Sequence, residues 1–317
     1  MAVYSPINKE ELSSFLTQYN IGTLQQFKGI LEGIENTNYK IKTSQNFFIL
    51  TIFEKRVNTQ DLPFFIDLQN HLAKKEFKCP KPVPNREGQY INTINNKPCV
   101  IVSFLDGNKV DHVTINHCKQ VGGVLSSLHK LAEDFDGTRA NGLHQAQWRN
   151  LFQKCKKVPN HQYKEIIQPI EEELDFLDQQ WPSDLPKGII HADVFHDNVF
   201  FKNNVFSGLI DFYFSCNDFF AYEIALTINA WCFNNNGQFD FDKFQSLIDG
   251  YQIHRVLNGV EKNSMSILLR GATMRILLTR LHDQLYHPEG AFVIPKNPLE
   301  YFLILKFHQN NLIFKDN

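Results

Sequence analysis

Four side chains between positions 191 and 211 are spaced so that they can act together. His191 and Asp193 form an H-x-D pair, Asn198 follows five residues after Asp193, and Asp211 lies thirteen residues beyond Asn198. A carboxylate can orient a hydroxyl and take its proton. An amide oxygen and a second carboxylate can hold a hard divalent cation, which neutralises a charged group in transit. Together they suit transfer of a phosphoryl group to an alcohol, with Asp193 as the base and Asn198 and Asp211 as magnesium ligands. The stretch between them, VFFKNNVFSGLI, reads as a hairpin whose role is to return Asp211 beside Asn198 so that both can ligate one ion. Taken singly, each residue is an ordinary turn or cap residue; the joint spacing carries the weight. A second chemistry competes for the same segment. His191, Asp193, His196 and Asp197 could form a transition-metal cluster for hydrolysis, but no further His-rich motif supplies another ligand at a recognisable spacing.

The same spacing resembles the catalytic loop and the following metal-binding motif of protein kinases. That resemblance implies a turn between the first two strands that covers the triphosphate of ATP. The matching stretch is Gly33-Ile34-Glu35-Asn36-Thr37-Asn38, so Glu35, Asn36, Thr37 and Asn38 are expected to contact the nucleotide, although no G-x-G-x-x-G pattern is present. Kinases place a phosphate-gripping Lys in the third strand. Here FFILTIFEKR puts Thr51 at that point, so either Thr51 bonds a phosphate or a lysine such as Lys40 or Lys42 takes over. Ser103, Phe104 and Leu105, at the end of an apolar strand, are the expected adenine-binding hinge. His191 opens the loop and is expected to hold its shape.

The elements that must position these groups follow from periodicity. Residues 6–20 predict a short amphipathic helix with Leu12, Phe15, Leu16 and Tyr19 on one side. Tyr39, Ile41 and Thr43 alternate with Lys40 and Lys42 in the second strand of a strand-turn-strand unit, and 47–53 predicts a buried strand. QDLPFFIDLQNHLAKKEF carries a helical pattern, CPKPVPNREGQ reads as an exposed connector, and YINTINNKPCVIVSF predicts two more strands. Beyond Leu105-Asp106-Gly107 helical periodicity dominates, at 114–131, 161–179 and 264–286, interrupted by the strand-turn-strand stretch that bears the site. That layout is α+β in two lobes, strand-rich over 1–105 and helix-rich over 106–317, and the resemblance of the 191–211 motif to protein kinases implies a two-lobed protein-kinase-like fold.

Length and composition agree with that layout. A chain of 317 residues favours two domains or lobes. A net charge of −2 provides no global field for nucleic acid or an anionic membrane, so an anionic ligand needs a local cationic pocket or a metal. The 28 Phe, against 3 Met and 3 Trp, point to a Phe-rich core. The first twenty residues lack the pattern of a signal peptide, no apolar run is long enough for a membrane span, and the 6 cysteines form no C-x-x-C pair. Reduced thiols in a cytoplasmic enzyme are expected, and oligomeric state is left open.

Over nearly the whole chain, GIENTNYKI, FFILTIFEKR, DLPFFIDLQNHLA, KPCVIVSFLDG, VGGVLSSLHK, HADVFHDNVFF, GLIDFYFSCNDFFAYEIALTINAWC and LLRGATMRILLTRLHD together resemble the bacterial homoserine kinases of the aminoglycoside-phosphotransferase-like class. The resemblance implies transfer of the γ-phosphoryl of ATP, with Mg2+, to L-homoserine, giving O-phospho-L-homoserine and ADP in threonine biosynthesis. It also implies that Thr replaces the strand lysine. One departure is Glu223-Ile224-Ala225, where relatives have Asp-x-Ala. Asp218, Glu223, Trp231, Arg270 and Arg275 are the candidates for binding the acceptor's ammonium and carboxylate. Two rivals stand: a sister kinase for choline, a methylthioribose-like sugar or an aminoglycoside, and a nucleotide-binding protein without turnover.

Overall fold

The structure, a computed structural model, describes residues 4–30, 36–54, 58–159, 161–234, 236–287 and 295–314. The chain divides into two compact units. The first comprises 1–107, 134–139 and 207–213, and the second 108–133, 140–206 and 214–317. The sequence boundary at 105/106 assigned 134–139 and 207–213 to the second lobe. Their contacts group them with the first, something a linear reading does not reveal.

In the first unit, α1 (Lys9–Leu16) begins at a capping box in which Asn8 and Glu11 exchange bonds. Strands β1 (Leu24–Ile30), β2 (Thr37–Thr43) and β3 (Phe47–Ile52) are antiparallel neighbours. After them come α2 (Leu62–Lys74), with a proline in its first turn, the short β4 (Pro82–Val83), β5 (Ile91–Ile94) and β6 (Lys97–Ser103). The sheet order is β1-β2-β3-β6-β4, with β5 also on β6. Strand parity sorts the side chains into two faces. Tyr39, Ile41, Leu50, Ile52 and Ile101 pack with Leu12, Phe15 and Leu16 of α1. Val100 and Val102 face the other way, against Phe65 and Ile66 of α2. Each such fully buried side chain contributes roughly 1.5–3 kcal/mol. The opposite parity of β2 leaves Asn38, Lys40 and Lys42 on the face away from α1, and the β2–β3 register sets Asn38 opposite Thr51.

The stretch expected to be an exposed connector differs from that reading. It contains β4, which pairs with β6, and Pro80, Pro82 and Asn85 are buried. Prolines are compatible with a short edge strand because its outer N–H groups need no partner.

The second unit holds α3 (Ile115–Leu131), α4 (Gln145–Lys156), α5 (Lys164–Gln180), β7 (Lys187–Ile190), β8 (Val199–Lys202), β10 (Cys216–Phe219), α6 (Phe220–Trp231), α7 (Phe241–Tyr251), α8 (Gly259–Leu285) and α9 (Leu299–Asn310); β9 (Val205–Leu209) leads from this unit into the first. α3 and α7 cross at two glycines. A Cβ on Gly122 would lie 2.0 Å from the Leu247 carbonyl oxygen, and one on Gly250 1.9 Å from that of Lys119. Only a residue without a side chain permits such a backbone approach. α6 is buried on almost every side. Helix α4 has the apolar spacing Trp148, Phe152, Cys155, and all three are buried. The expected Phe-rich core is present: Phe233, Phe239 and Phe307 stack within 5.3 Å of one another.

Candidate active site

The loop after β7 is shaped by its own hydrogen bonds. The Asp193 N–H donates to Nδ1 of His191 at 3.2 Å, which makes the fully buried imidazole the Nε2–H tautomer. Phe195 N–H donates to the Asp193 carbonyl at 2.9 Å and Asn198 N–H to the Phe195 carbonyl at 3.0 Å. The Asn198 amide nitrogen donates to both the Asp193 carbonyl and its Oδ2, each at 2.8 Å. Committing the nitrogen in this way turns the other end of the amide, its oxygen, into the available ligand atom, and amide oxygen is what a hard cation takes. Asp193 and Asn198, five residues apart in sequence, are thus in direct contact.

Between His191 and Asp193 the backbone of Ala192 is left-handed, with φ of 63°. A residue with a Cβ pays about 1–2 kcal/mol for that conformation, so something must hold it. Two groups do. The Ala192 N–H donates to Oε1 of Glu223 at 2.6 Å, and the Ala192 carbonyl accepts from Nη1 of Arg275 at 2.5 Å. Glu223, on α6, also meets Nε2 of His129 from α3 at 2.7 Å, and His129 Nδ1 lies 2.8 Å from the Tyr251 hydroxyl. Tyr251 in turn accepts from Arg255, which pairs with the buried Glu261. A third hold comes from Trp231, whose indole N–H donates to the Val194 carbonyl at 2.7 Å.

These contacts revise the substrate-binding expectations. Glu223, Arg275 and Trp231 are buried and grip the backbone of the loop. Arg270 forms a two-bond ion pair with Glu173, both contacts at 2.6 Å, with its guanidinium 3.7 Å from the Phe176 ring. Asp218 lies on β10 opposite Gly188 of β7 and accepts from Asn141 and from the Phe219 N–H, both at 2.7 Å. For the four charged residues the physical reason is common: a charge taken out of water needs fixed partners, and the partners here are the fold's own, while the buried Trp231 spends its indole N–H on the loop.

In the first unit, Thr51 is buried and its hydroxyl donates to Oδ1 of Asn38 at 2.7 Å. Tyr213 packs edge-on against Phe53 with ring centroids 5.1 Å apart; burial pushes its phenol well above its usual range, and the nearby Asp211 carboxylate pushes the same way. Tyr213 therefore stays a protonated donor. Asp211 itself has a left-handed backbone, φ 64°, a conformation that non-glycine residues keep at sites where the surroundings impose it. A neutral pair, Thr51 and Asn38, thus occupies the strand position where kinases carry a lysine. Lys40 does not fill that gap, because its ammonium sits 3.7 Å over the Phe104 ring and 5.0 Å from Phe47. Ser103 accepts from Lys81 N–H, the Phe104 N–H bonds the Phe47 carbonyl, and Leu105 packs where a Cβ on Gly208 would stand, 2.5 Å away.

Two expectations for the phosphate turn change. The Thr37 hydroxyl is consumed inside the fold, accepting from the Tyr4 and Ser5 N–H groups and donating to Glu54 at 2.8 Å, and Oδ1 of Asn36 accepts from the Glu54 N–H. Burial raises the Glu54 carboxyl, but bonds from Lys97, Ser5 and Thr37 outweigh it and hold the group below its usual range. Gly33, Ile34 and Glu35 lie outside the described residues. The rival transition-metal cluster finds no support: among the described residues no group of three or more His, Cys, Asp or Glu gathers as a metal site. His196 packs against Trp231 with ring centroids 4.5 Å apart, and burial lowers its pKa to about 4. A cavity in the first unit, lined by Phe64, His71, Tyr90 and Phe135, includes none of the expected site residues. All six cysteines are free and buried, and no described helix is long and apolar enough to cross a membrane.

Sequence reasoning missed the loop's supports, His129, Tyr251 and Arg255. His129 was visible only as the His of VGGVLSSLHK, and nothing in its spacing tied it to Glu223, 94 positions away.

Comparison with known proteins agrees with the geometry. Residues 26–257 match the phosphotransferase enzyme family. The homoserine kinase of Sinorhizobium fredii is 44% identical over 309 residues, covering 98% of this chain and 95% of its own. That of Brucella melitensis is 45% identical with the same coverage. Among solved structures, the amicoumacin kinase hAmiN in complex with AMP-PNP, Ca2+ and Ami superposes with a TM-score of 0.71 at 14% identity, over 96% of this chain and 92% of that one. Choline kinase from Cryptosporidium parvum gives 0.67 at 14% identity, over 95% and 94%. The fold is therefore the α+β kinase-like fold of these proteins, and the chain belongs to the phosphotransferase enzyme family, alongside members named homoserine kinase.

Proposed function

We propose that this protein transfers the γ-phosphoryl group of ATP to the side-chain hydroxyl of L-homoserine, releasing ADP and O-phospho-L-homoserine, in the cytoplasm as a step toward threonine. The observation that carries the reading is a match of 43–45% identity spanning 98% of the chain to relatives named homoserine kinase, and the loop chemistry is consistent with it. Asp193 accepts a hydrogen bond from the acceptor hydroxyl and takes its proton as that oxygen bonds to the γ-phosphorus and the bond to the ADP oxygen breaks. Asn198 orients the Asp193 carboxylate through its amide nitrogen. Its oxygen and the Asp211 carboxylate fit magnesium, being the hard oxygen donors that ion prefers. When bound, magnesium neutralises charge on the β- and γ-phosphate oxygens.

Thr51 and Asn38 serve the nucleotide phosphates by hydrogen bonding without charge, and Phe104 and Leu105 line the adenine. Glu223, Arg275 and Trp231 position the loop rather than touch substrate. The test is ADP release coupled to a chromogenic reaction, run with and without Mg2+ on L-homoserine, choline, a methylthioribose-like sugar and an aminoglycoside. Turnover that needs homoserine and is lost in Asp193→Ala is expected. Turnover with choline or a sugar alone would favour the sister-kinase reading, and none with any acceptor would favour the nucleotide-binding one.

A further inference from the structure

The supports behind the Asp193 loop form one continuous chain of buried groups whose direction follows from its far end. Arg255 has only donors to offer, so the Tyr251 oxygen accepts from its Nη1 at 3.2 Å. Burial pushes the Tyr251 phenol well above its usual range, so the hydroxyl keeps its hydrogen. Among the described residues that hydrogen has one acceptor within reach, Nδ1 of His129 at 2.8 Å. With Nδ1 accepting, the proton of the imidazole sits on Nε2. Nε2 meets Oε2 of Glu223 at 2.7 Å, and Oε1 of the same carboxylate takes the Ala192 N–H. From Arg255 onward each bond points toward the carboxylate, and hydrogen bonds aligned head to tail strengthen one another.

The far end of the chain is anchored as well. Arg255 Nη2 pairs with the buried Glu261 at 2.8 Å, and Glu261 closes the capping box of α8 with Asn258. The Phe220 ring packs beside the chain, 4.6 Å from the Arg255 guanidinium and 4.5 Å from the His129 ring. Helix α8 also carries Arg275, about four turns further on, whose Nη1 holds the Ala192 carbonyl. The carbonyl and the N–H of Ala192 are thus tied to the same helix, one directly and the other through Glu223, His129, Tyr251 and Arg255. That closes a ring around the residue whose left-handed backbone, φ 63°, places Asp193. Without the Tyr251 hydroxyl, Nδ1 loses its donor and the imidazole proton is free to move there. Nε2 would then turn a lone pair on Glu223, which must withdraw from one of its partners.

We propose that Tyr251 and Arg255 are positioning residues for the phosphoryl transfer. Neither has a bond to the loop among the described residues. They fix His129 as the Nε2–H tautomer, so that Glu223 keeps the Ala192 N–H and Asp193 stays at the reacting hydroxyl. The inference rests on the reading of Asp193 as the base. The test uses the full-length protein with 15N-labelled histidine, and pairs steady-state kinetics on ATP and L-homoserine with NMR of the imidazole nitrogens. The His129 signals are those missing in His129→Asn. Wild type is expected to show them as a protonated Nε2 and an accepting Nδ1. Tyr251→Phe keeps the ring and removes one oxygen. It is expected to lose the single-tautomer pattern of His129 and to lower kcat about tenfold, less than a displacement of about 1 Å costs. Both KM values should stay within about twofold, as for an interaction that serves the transition state alone. Arg255→Met is expected to lower kcat likewise, and Arg255→Lys, which still donates to Tyr251, to recover most of the loss. If Arg255→Met fails to fold, Tyr251→Phe carries both readouts. A folded Tyr251→Phe protein with wild-type kcat overturns the inference, and so does a reduced kcat with the Nε2–H pattern of His129 intact. A wild type whose His129 proton sits on Nδ1 overturns it too. A wild type that phosphorylates no alcohol overturns the reading of Asp193 as the base, and the inference falls with it whatever the tautomer.

Discussion

Glu223 is the residue whose replacement most directly tests how the loop is held. It is buried, and its two oxygens meet Ala192 N–H at 2.6 Å and His129 Nε2 at 2.7 Å. Glu223→Ala leaves both partners buried and unpaired, at about 1–3 kcal/mol each, and opens a cavity, so a loss of about 3–5 kcal/mol is expected. Glu223→Gln changes almost no volume. Its carbonyl can keep Ala192, but its NH2 must then face His129, which can answer only by moving its proton to Nδ1 and donating to Tyr251. That rearrangement should cost about 1–2 kcal/mol. Activity should fall for a separate reason. Ala192 holds φ of 63° between Glu223 and Arg275, and once one hold is gone the peptide can relax and carry Asp193 with it. A displacement of about 1 Å lowers rates about 100-fold, so kcat should drop by roughly that factor in Glu223→Ala and about tenfold in Glu223→Gln, with the KM for ATP within a few-fold of wild type. Urea unfolding gives the stability and ADP release the kinetics. A folded Glu223→Ala protein with wild-type kcat would refute the idea that this carboxylate sets the loop.

Three more outcomes are expected. Arg270→Met strands the buried Glu173, and Gln309 alone then remains to bond it; stability should fall by about 3–5 kcal/mol, while a raised KM for the acceptor without that loss would return Arg270 to the substrate site. Gly122→Ala drives a methyl into the Leu247 carbonyl and the Tyr251 backbone nitrogen, 2.0 and 2.7 Å away, so differential scanning fluorimetry should register a loss above about 2 kcal/mol, and an unchanged Tm contradicts the close crossing of α3 and α7. His308, buried on α9 and bonded to Asn229, has its pKa lowered to about 3 by burial and by Arg270. Because the folded pKa lies below the unfolded one of about 6.5, its contribution is complete above pH 6.5 and is lost on acidification toward pH 3, at about 1.4 kcal/mol per pH unit. Urea midpoints across that range should slope less in His308→Gln than in wild type, and equal slopes would count against a neutral buried imidazole.

How far the sequence could be read depended on the range of the interactions involved. Strands, hairpins and the long helices are encoded by neighbours a few residues apart, so β2, β3, α2, α3, α5 and α8 were legible from periodicity alone. The five-residue spacing of Asp193 and Asn198 was legible for the same reason, while the direct contact between them came from the folded loop. Helix α4 was legible in principle from Trp148, Phe152 and Cys155 but is interrupted by a run of polar residues, and the edge strand β4 was masked by its prolines.

The roles of the remaining charged residues were a different matter. Residue type alone left Glu223, Arg270 and Arg275 equally fit for a substrate or for a structural partner, because a carboxylate or guanidinium is specified by what it faces. Glu223 faces a peptide 31 positions back, Arg275 one 83 positions back, and Arg270 a glutamate 97 positions away. Local sequence therefore determined the chemistry available on the loop and the strands and helices that carry it. The assembled fold decided which charges were consumed in holding that loop and which were left over for a ligand, since burial and partner choice are set by segments that meet only when the chain is folded.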